Sequence, residues 1–345
     1  MKNRFATKVL STTLSAILAS SILFGCGSAA SNEAAPSAAA SEAAPSAESS
    51  EAAPAAESSS TEASSEETAA VAIDKAAFDE LVSSVAQADD AAIEANAWAK
   101  SVKEAGVLKV GGVRTSFLFS QLDETDNSLR GFDAGLFQML AQYILGDSSK
   151  YEITQVDSST RESVLQSGQV DAVFATYSIT DERKKLISFA GPYYVSKQAI
   201  LVKSDNSDIT GVESLAGKTV ATQSGSTGPD ILAEYAPEAV VQEFATDIEA
   251  RTALDQGRVD AYVTDYTLNL SSMVKNPGSY TLAGESFGPE DNYGIGLPLD
   301  SDGVEFVNEF LKKIEEDGSW EKLWKICLGD RTGIDTVPEA PVVGE

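Results

Sequence analysis

The sequence predicts an α/β chain of two similar lobes, each a mostly parallel sheet with flanking helices, and three observations support this. Apolar strand-like runs alternate with helical stretches to about Gly329, the pattern of parallel sheets crossed by helices. "LQSGQVDAVFATY" (Leu165–Tyr177) and "LDQGRVDAYVTDY" (Leu254–Tyr266) share Leu, Gly, Val, Asp, Ala and Tyr at a constant offset of 89 residues. Each reads as a helix end, a glycine C-cap, a short turn and a buried strand. Coincidence between two ordinary helix–strand joints is the alternative. Third, the strand Val170–Thr176 delivers Thr176, Ser178, Thr180 and Arg183 to its carboxyl end, where open α/β sheets bind ligands. By the repeat, Asp265 stands where Thr176 does. The plainer reading of that polar end is a solvated turn and helix cap.

The elements follow in chain order. Lys2, Arg4 and Lys8 precede an apolar run, Val9 to Phe24, that ends in "LFGC" (Leu23–Cys26). A basic start, a short apolar run and a small residue before a cysteine mark a lipoprotein-type export signal at residues 1–25, with Cys26 as the acylated residue. The run is short of the ~20 residues a membrane span requires. Gly27 to Val71 contains no aromatic, Lys or Arg. Such a segment cannot bury enough apolar surface to offset its ordering entropy, so residues 26–72 are expected to be a disordered tether. Its mean reach is roughly 35–40 Å, which suits the surface of a wall-bearing cell. Cys327 is the only other sulfhydryl, is read as a helix-packing residue, and has no partner for an intrachain bridge.

Without the three n-region cations, 22 Lys and Arg remain against 53 Asp and Glu, a net charge near −31. That balance argues against a nucleic-acid partner. It also repels small anions unless a pocket is locally basic. The chain has no histidine, which excludes Ser-His-Asp and Cys-His mechanisms and zinc sites built on histidine.

An amphipathic helix is expected over Phe78–Gly106. Strand-like "VLKVGGV", "YEITQV" and "TVATQ" then precede helical "GFDAGLFQMLAQYIL", "TRESVLQSG" and "GPDILAEYA". The motifs "GFDAGLFQMLA", "GQVDAVFATYSITDERKKLISFAGPYY", "LAGKTVATQSGSTG", "GRVDAYVTDYTL" and "YGIGLPLDSDGVEFVNEFLKKIEEDGSWEKLWK" follow in that order. Together they resemble family 3 extracellular solute-binding proteins, the polar amino-acid receptors of ABC importers, over roughly Val107–Gly329. The resemblance implies a two-lobe periplasmic-binding-protein-like fold of type II, joined by two hinge strands and closing on one ligand. It implies lobe 1 at residues 107–194 and 291–332 and lobe 2 at residues 195–290. An N-terminal helical segment at residues 73–106 and a tail at residues 333–345 flank them.

The resemblance also implies a site. Arg183 would clamp the α-carboxylate of an amino acid, with Thr176 and Ser178 beside the α-groups; a planar guanidinium fits a carboxylate with two parallel bonds. In "TQSGSTGP" (Thr222–Pro229), Ser226 and Thr227 would add hydroxyls at a helix start that Pro229 helps to begin. As a bare turn, the segment is neither a P-loop nor a GxSxG elbow. Asp265 matches the family's acid for the α-ammonium; otherwise a strand-end Asp is usually a helix cap. Arg114, Ser158 and Arg161 resemble the glutamate/aspartate branch, where such residues meet a side-chain carboxylate, and Phe117 would pack on the ligand's methylenes. Surface exposure for Arg161 and core packing for Phe117 are the plainer alternatives. "GFDAG" carries Gly135 where the family usually has a second acid, at a helix start rather than a ligand contact.

The acid clusters "DETDN" (Asp123–Asn127) and "DSDG" (Asp300–Gly303) lack EF-hand spacing and read as solvated turns, so no metal and no cofactor is expected. The expected function is a non-enzymatic, lipid-anchored, monomeric receptor for glutamate or aspartate that serves an ABC permease. A receptor for glutamine or cystine, a ligand sensor and a small dehydratase are the rivals. The last requires a general acid or base, and only Asp265 is on offer.

Overall fold

The computed structural model describes residues 71–344. The expected signal peptide, Cys26 and residues 26–70 of the expected tether lie outside the described residues.

The described strands are β1 (Leu108–Gly112), β2 (Thr115–Ser116), β3 (Ser120–Asp123), β4 (Ser128–Arg130), β5 (Tyr151–Gln155) and β6 (Ala172–Phe174). They continue as β7 (Ser188–Lys203), β8 (Thr219–Gln223), β9 (Val240–Phe244), β10 (Ala261–Asp265), β11 (Tyr280–Leu282) and β12 (Phe287–Leu297). The main sheet runs β5–β1–β6–β12–β7–β10–β8–β9, with β11 also on β7. Its two ends repeat one plan. β1 lies between β5 and β6, all parallel; β8 lies between β9 and β10, again all parallel. Between them the two longest strands, β7 and β12, pair antiparallel.

β7 links two separate cores. Its first half places Ala190, Tyr193 and Tyr194 against Phe119, Phe132 and Trp320, while its second half places Ile200 and Val202 against Leu215, Val220, Leu232 and Val263. Each fully buried side chain of this kind contributes about 1.5–3 kcal/mol relative to exposure. Two strands threaded through two independent cores form a hinge, because the lobes can rotate about them without opening either core.

Residues expected to form one helix over Phe78–Gly106 form three: Lys75–Ser84, Asp90–Ala95 and Ala97–Ala105. The breaks fall where Val85 and Asn96 adopt extended ψ. Side-chain caps mark the first and third starts. Asp74 accepts from Ala77 N at 3.0 Å and Asn96 from Ala99 N at 2.9 Å, satisfying donors a helix start leaves free. Asp302 of "DSDG" accepts from Ala97 N at 2.6 Å and Trp98 N at 3.1 Å, so this acid serves as a distant cap. In "DETDN", Asp126 pairs with Arg130 at 2.9 Å, and Asp123 pairs with Lys75.

Gly135 has a packing reason. A Cβ there would overlap Leu323 Cδ1, because helix Phe132–Leu145 lies directly on helix Ser319–Trp324.

Candidate functional site

The site assembles where the carboxyl ends of β6 and β10 meet the hinge. The strand expected over Val170–Thr176 is shorter, Ala172–Phe174, and Thr176 leaves it with φ 42°. A β-branched residue in this left-handed region is strained, and such strain concentrates at binding sites. Asp133 holds it there: Oδ2 accepts from Thr176 N at 2.9 Å, while Oδ1 accepts from Tyr193 O–H at 2.7 Å. Complete burial pushes the Asp133 carboxyl up to about 7.

Two arginines flank one ring. Arg161, 3% exposed, starts helix Arg161–Gln166 with its guanidinium carbon 4.1 Å from the centroid of Tyr177. Arg183 lies 5.2 Å from the same centroid. The π face attracts both cations and offsets part of their mutual repulsion. Burial, then the charge of Arg183, lowers Arg161 to about 10. Arg161 Nη1 donates to Ala175 O at 3.1 Å, whereas its buried Nε has no partner. Arg183 donates to Ser178 O at 2.8 Å and, across the lobes, to Gly225 O at 2.9 Å; Glu162 steadies it at 3.5 Å.

Asp265 ends β10 and is 7% exposed. Its Oδ2 accepts from Tyr293 O–H at 2.6 Å, and its Oδ1 takes the amide of Gln198 on β7. Burial first, then the charge of Asp291, pushes Asp265 up to about 8. Asp291 on β12 accepts from Ser178 Oγ at 3.1 Å and Thr227 Oγ1 at 3.4 Å.

Cavities open on both sides of this cluster. One of ≈180 Å³ is lined from the first lobe by Ser158, Arg161 and Thr176 and from the second by Gln223, Thr246 and Asp247. Another of ≈350 Å³ is lined by Ser178, Gln198, Thr227, Asp230 and Asp291. The acids beside Arg161 are already committed. Asp247 pairs with Arg251 at 2.7 Å, and Asp157 accepts from Ser159 and Thr160 in its own turn.

The structure thus brings Thr176, Ser178, Arg183, Thr227, Asp265, Ser158 and Arg161 to the interlobe cleft, and gives Ser226, Arg114 and Phe117 further partners outside it. Ser226 spends its hydroxyl locally, donating to Gln223 O at 2.7 Å and accepting from Gly228 N at 3.1 Å. Arg114 donates to Ile153 O at 3.1 Å, beside β5. Phe117, in the β2–β3 turn, packs beneath the guanidinium of Arg331 at 3.9 Å. It also lines a small pocket with Asp247 and Leu268 of the second lobe. Sequence reasoning missed Asp133, Gln198, Asp291 and Tyr293. Asp133 was visible in "GFDAG"; the other three lie on hinge strands whose register only the fold reveals.

Comparison with known proteins agrees with this architecture. The glutamine-binding protein GlnH of a Bacillus subtilis ABC transporter is 38% identical over 219 residues, 63% of this chain and 79% of that protein. The glutamate-binding protein GluB of Corynebacterium glutamicum is 32% identical over 220 residues, 61% and 74% of the two chains. The crystal structure of a cysteine-binding protein from Campylobacter jejuni superposes with a TM-score of 0.67 over 72% of this chain and 100% of its own, at 24% identity, and shares the fold. Residues 108–329 match the model of the bacterial extracellular solute-binding proteins, family 3. The chain belongs to that family, as a solute-binding protein and not an enzyme.

Proposed function

We propose that the protein is an extracytoplasmic receptor, lipid-anchored through Cys26, that binds glutamate or aspartate and delivers it to an ABC permease. One observation carries the ligand assignment: Arg161 is buried against the cleft cavity, forms no ion pair with any described carboxylate, and keeps its Nε free. A buried charge is costly unless paired. A ligand side-chain carboxylate supplies the missing partner, with Ser158 beside it. The remaining roles are Arg183 for the α-carboxylate and Asp265 for the α-ammonium, with Thr176, Ser178 and Thr227 around them. The lobes are read as residues 107–194 with 291–332, and 195–290, hinged on β7 and β12. The relatives named for glutamine and glutamate support an amino-acid ligand. Calorimetry of glutamate and glutamine with the full chain and with Arg161→Met tests the assignment.

A further inference from the structure

Asp291 has no part in the roles above, yet it is 9% exposed at the centre of the site. Its contacts with Ser178 and Thr227 place it in one hydrogen-bonded cluster with Asp265, because Gln198 donates both to Thr227 Oγ1, at 3.4 Å, and to Asp265 Oδ1. No described Lys or Arg forms an ion pair with either acid. The surroundings are otherwise sparse in cations. Arg183 and Arg161 act on Asp291 from the first lobe. β7 supplies the uncharged amide of Gln198, and β12 supplies the Tyr293 phenol. The Thr267 hydroxyl of helix Tyr266–Lys275 meets that phenol at 3.1 Å. Asp181, Asp230 and Glu290 line the adjoining cavity and contribute only acids.

Two carboxylates have acceptors only, so a bond between them requires a proton. Two acids buried in one such cluster do not both ionise readily without a compensating cation. A primary ammonium brings three N–H donors and one positive charge. It can replace the shared proton with no change in buried charge: as the cation enters, one proton leaves to water. We propose that Asp291 completes, with Asp265, a two-carboxylate seat for one ligand ammonium, which enters in exchange for a proton the pair shares. This rests on the amino-acid reading but not on the choice between glutamate and glutamine, because both carry the same ammonium.

The test is titration calorimetry of the full chain at pH 6.5 with L-glutamate and, separately, L-glutamine, in buffers of differing ionisation heat. The wild type is expected to release about one proton per ligand bound. Asp291→Asn should lose most of that release and bind about tenfold more weakly, and Asp291→Glu should restore the release. Binding without proton release by the wild type, or equal release by Asp291→Asn, overturns the seat while the amino-acid reading stands. The wild-type count decides the matter even if Asp291→Asn fails to fold. Failure of the wild type to bind either probe removes the amino-acid reading and the seat with it.

Discussion

Arg183 Nη2 donates to the carbonyl of Gly225 at 2.9 Å, a single hydrogen bond that joins the two lobes across the cleft. Gly225 can approach so closely because it has no side chain. Its φ is +73°, and a Cβ would lie 2.8 Å from Ser159 Cα and 2.9 Å from Ser158 O. Overpacking of this kind costs about 1–3 kcal/mol. The overlap exists only when the lobes meet. Gly225→Ala is therefore expected to weaken ligand binding by about tenfold or more, and to reduce the compaction that ligand produces in small-angle scattering. Unchanged affinity and compaction would show that closure does not pass through this contact.

Thr176 carries a different kind of tension. Its φ of 42° suits glycine, yet its position lines the ≈180 Å³ cavity. Relief of left-handed strain at a non-glycine residue is worth about 1–2 kcal/mol. Thr176→Gly is expected to hold or raise the melting temperature while weakening amino-acid binding. A variant that melts lower and binds normally would reverse both assignments.

The buried acids set a pH dependence of stability. Asp133 sits at about 7, Asp265 at about 8 and Glu315 at about 7, each raised first by burial. A raised carboxyl holds its proton in the folded chain after the unfolded chain has lost it. Its stabilising contribution is complete below about pH 4 and is lost as pH rises through 7 to 8. Urea midpoints of the ligand-free protein should fall between pH 5 and pH 8.5, and Asp133→Asn should flatten part of that fall. A midpoint constant or rising over that interval would contradict the burial of these groups.

Anchoring is open to a direct check. "LFGC" is the acylation signal on which the anchor rests. Cys26→Ala is expected to move the protein from the membrane fraction to a soluble or uncleaved form. A wild-type protein found mostly unlipidated in the culture medium would remove the anchor from the account.

The sequence made legible whatever is written locally. β8 and β10 reveal themselves as apolar runs, and the repeated joint places Thr176 and Asp265 at matching strand ends. Arg183 is found in its motif because a charge cluster directly after a core strand is visible in one dimension. Side-chain direction is not. Arg114 and Phe117 flank β2, and that small sheet turns Arg114 to Ile153 and Phe117 beneath Arg331. Asp291 and Gln198 stayed hidden for another reason. They come from hinge strands far apart in the chain, and only the pairing of β12 and β10 with β7 carries them to Asp265. The expected helix over Phe78–Gly106 broke at Asn96 because local caps from Asn96 and Asp302 outweighed its continuous amphipathic pattern.

The central claim is that Arg161 awaits a side-chain carboxylate, and its most direct test is the ratio of glutamate to glutamine affinity, measured by calorimetry on the full chain. Charge-assisted bonds are worth about 1.5–3 kcal/mol. The wild type should therefore prefer L-glutamate by at least about tenfold, and Arg161→Met should erase most of that preference while retaining glutamine binding. Equal or tighter binding of L-glutamine by the wild type would contradict the acidic-ligand assignment.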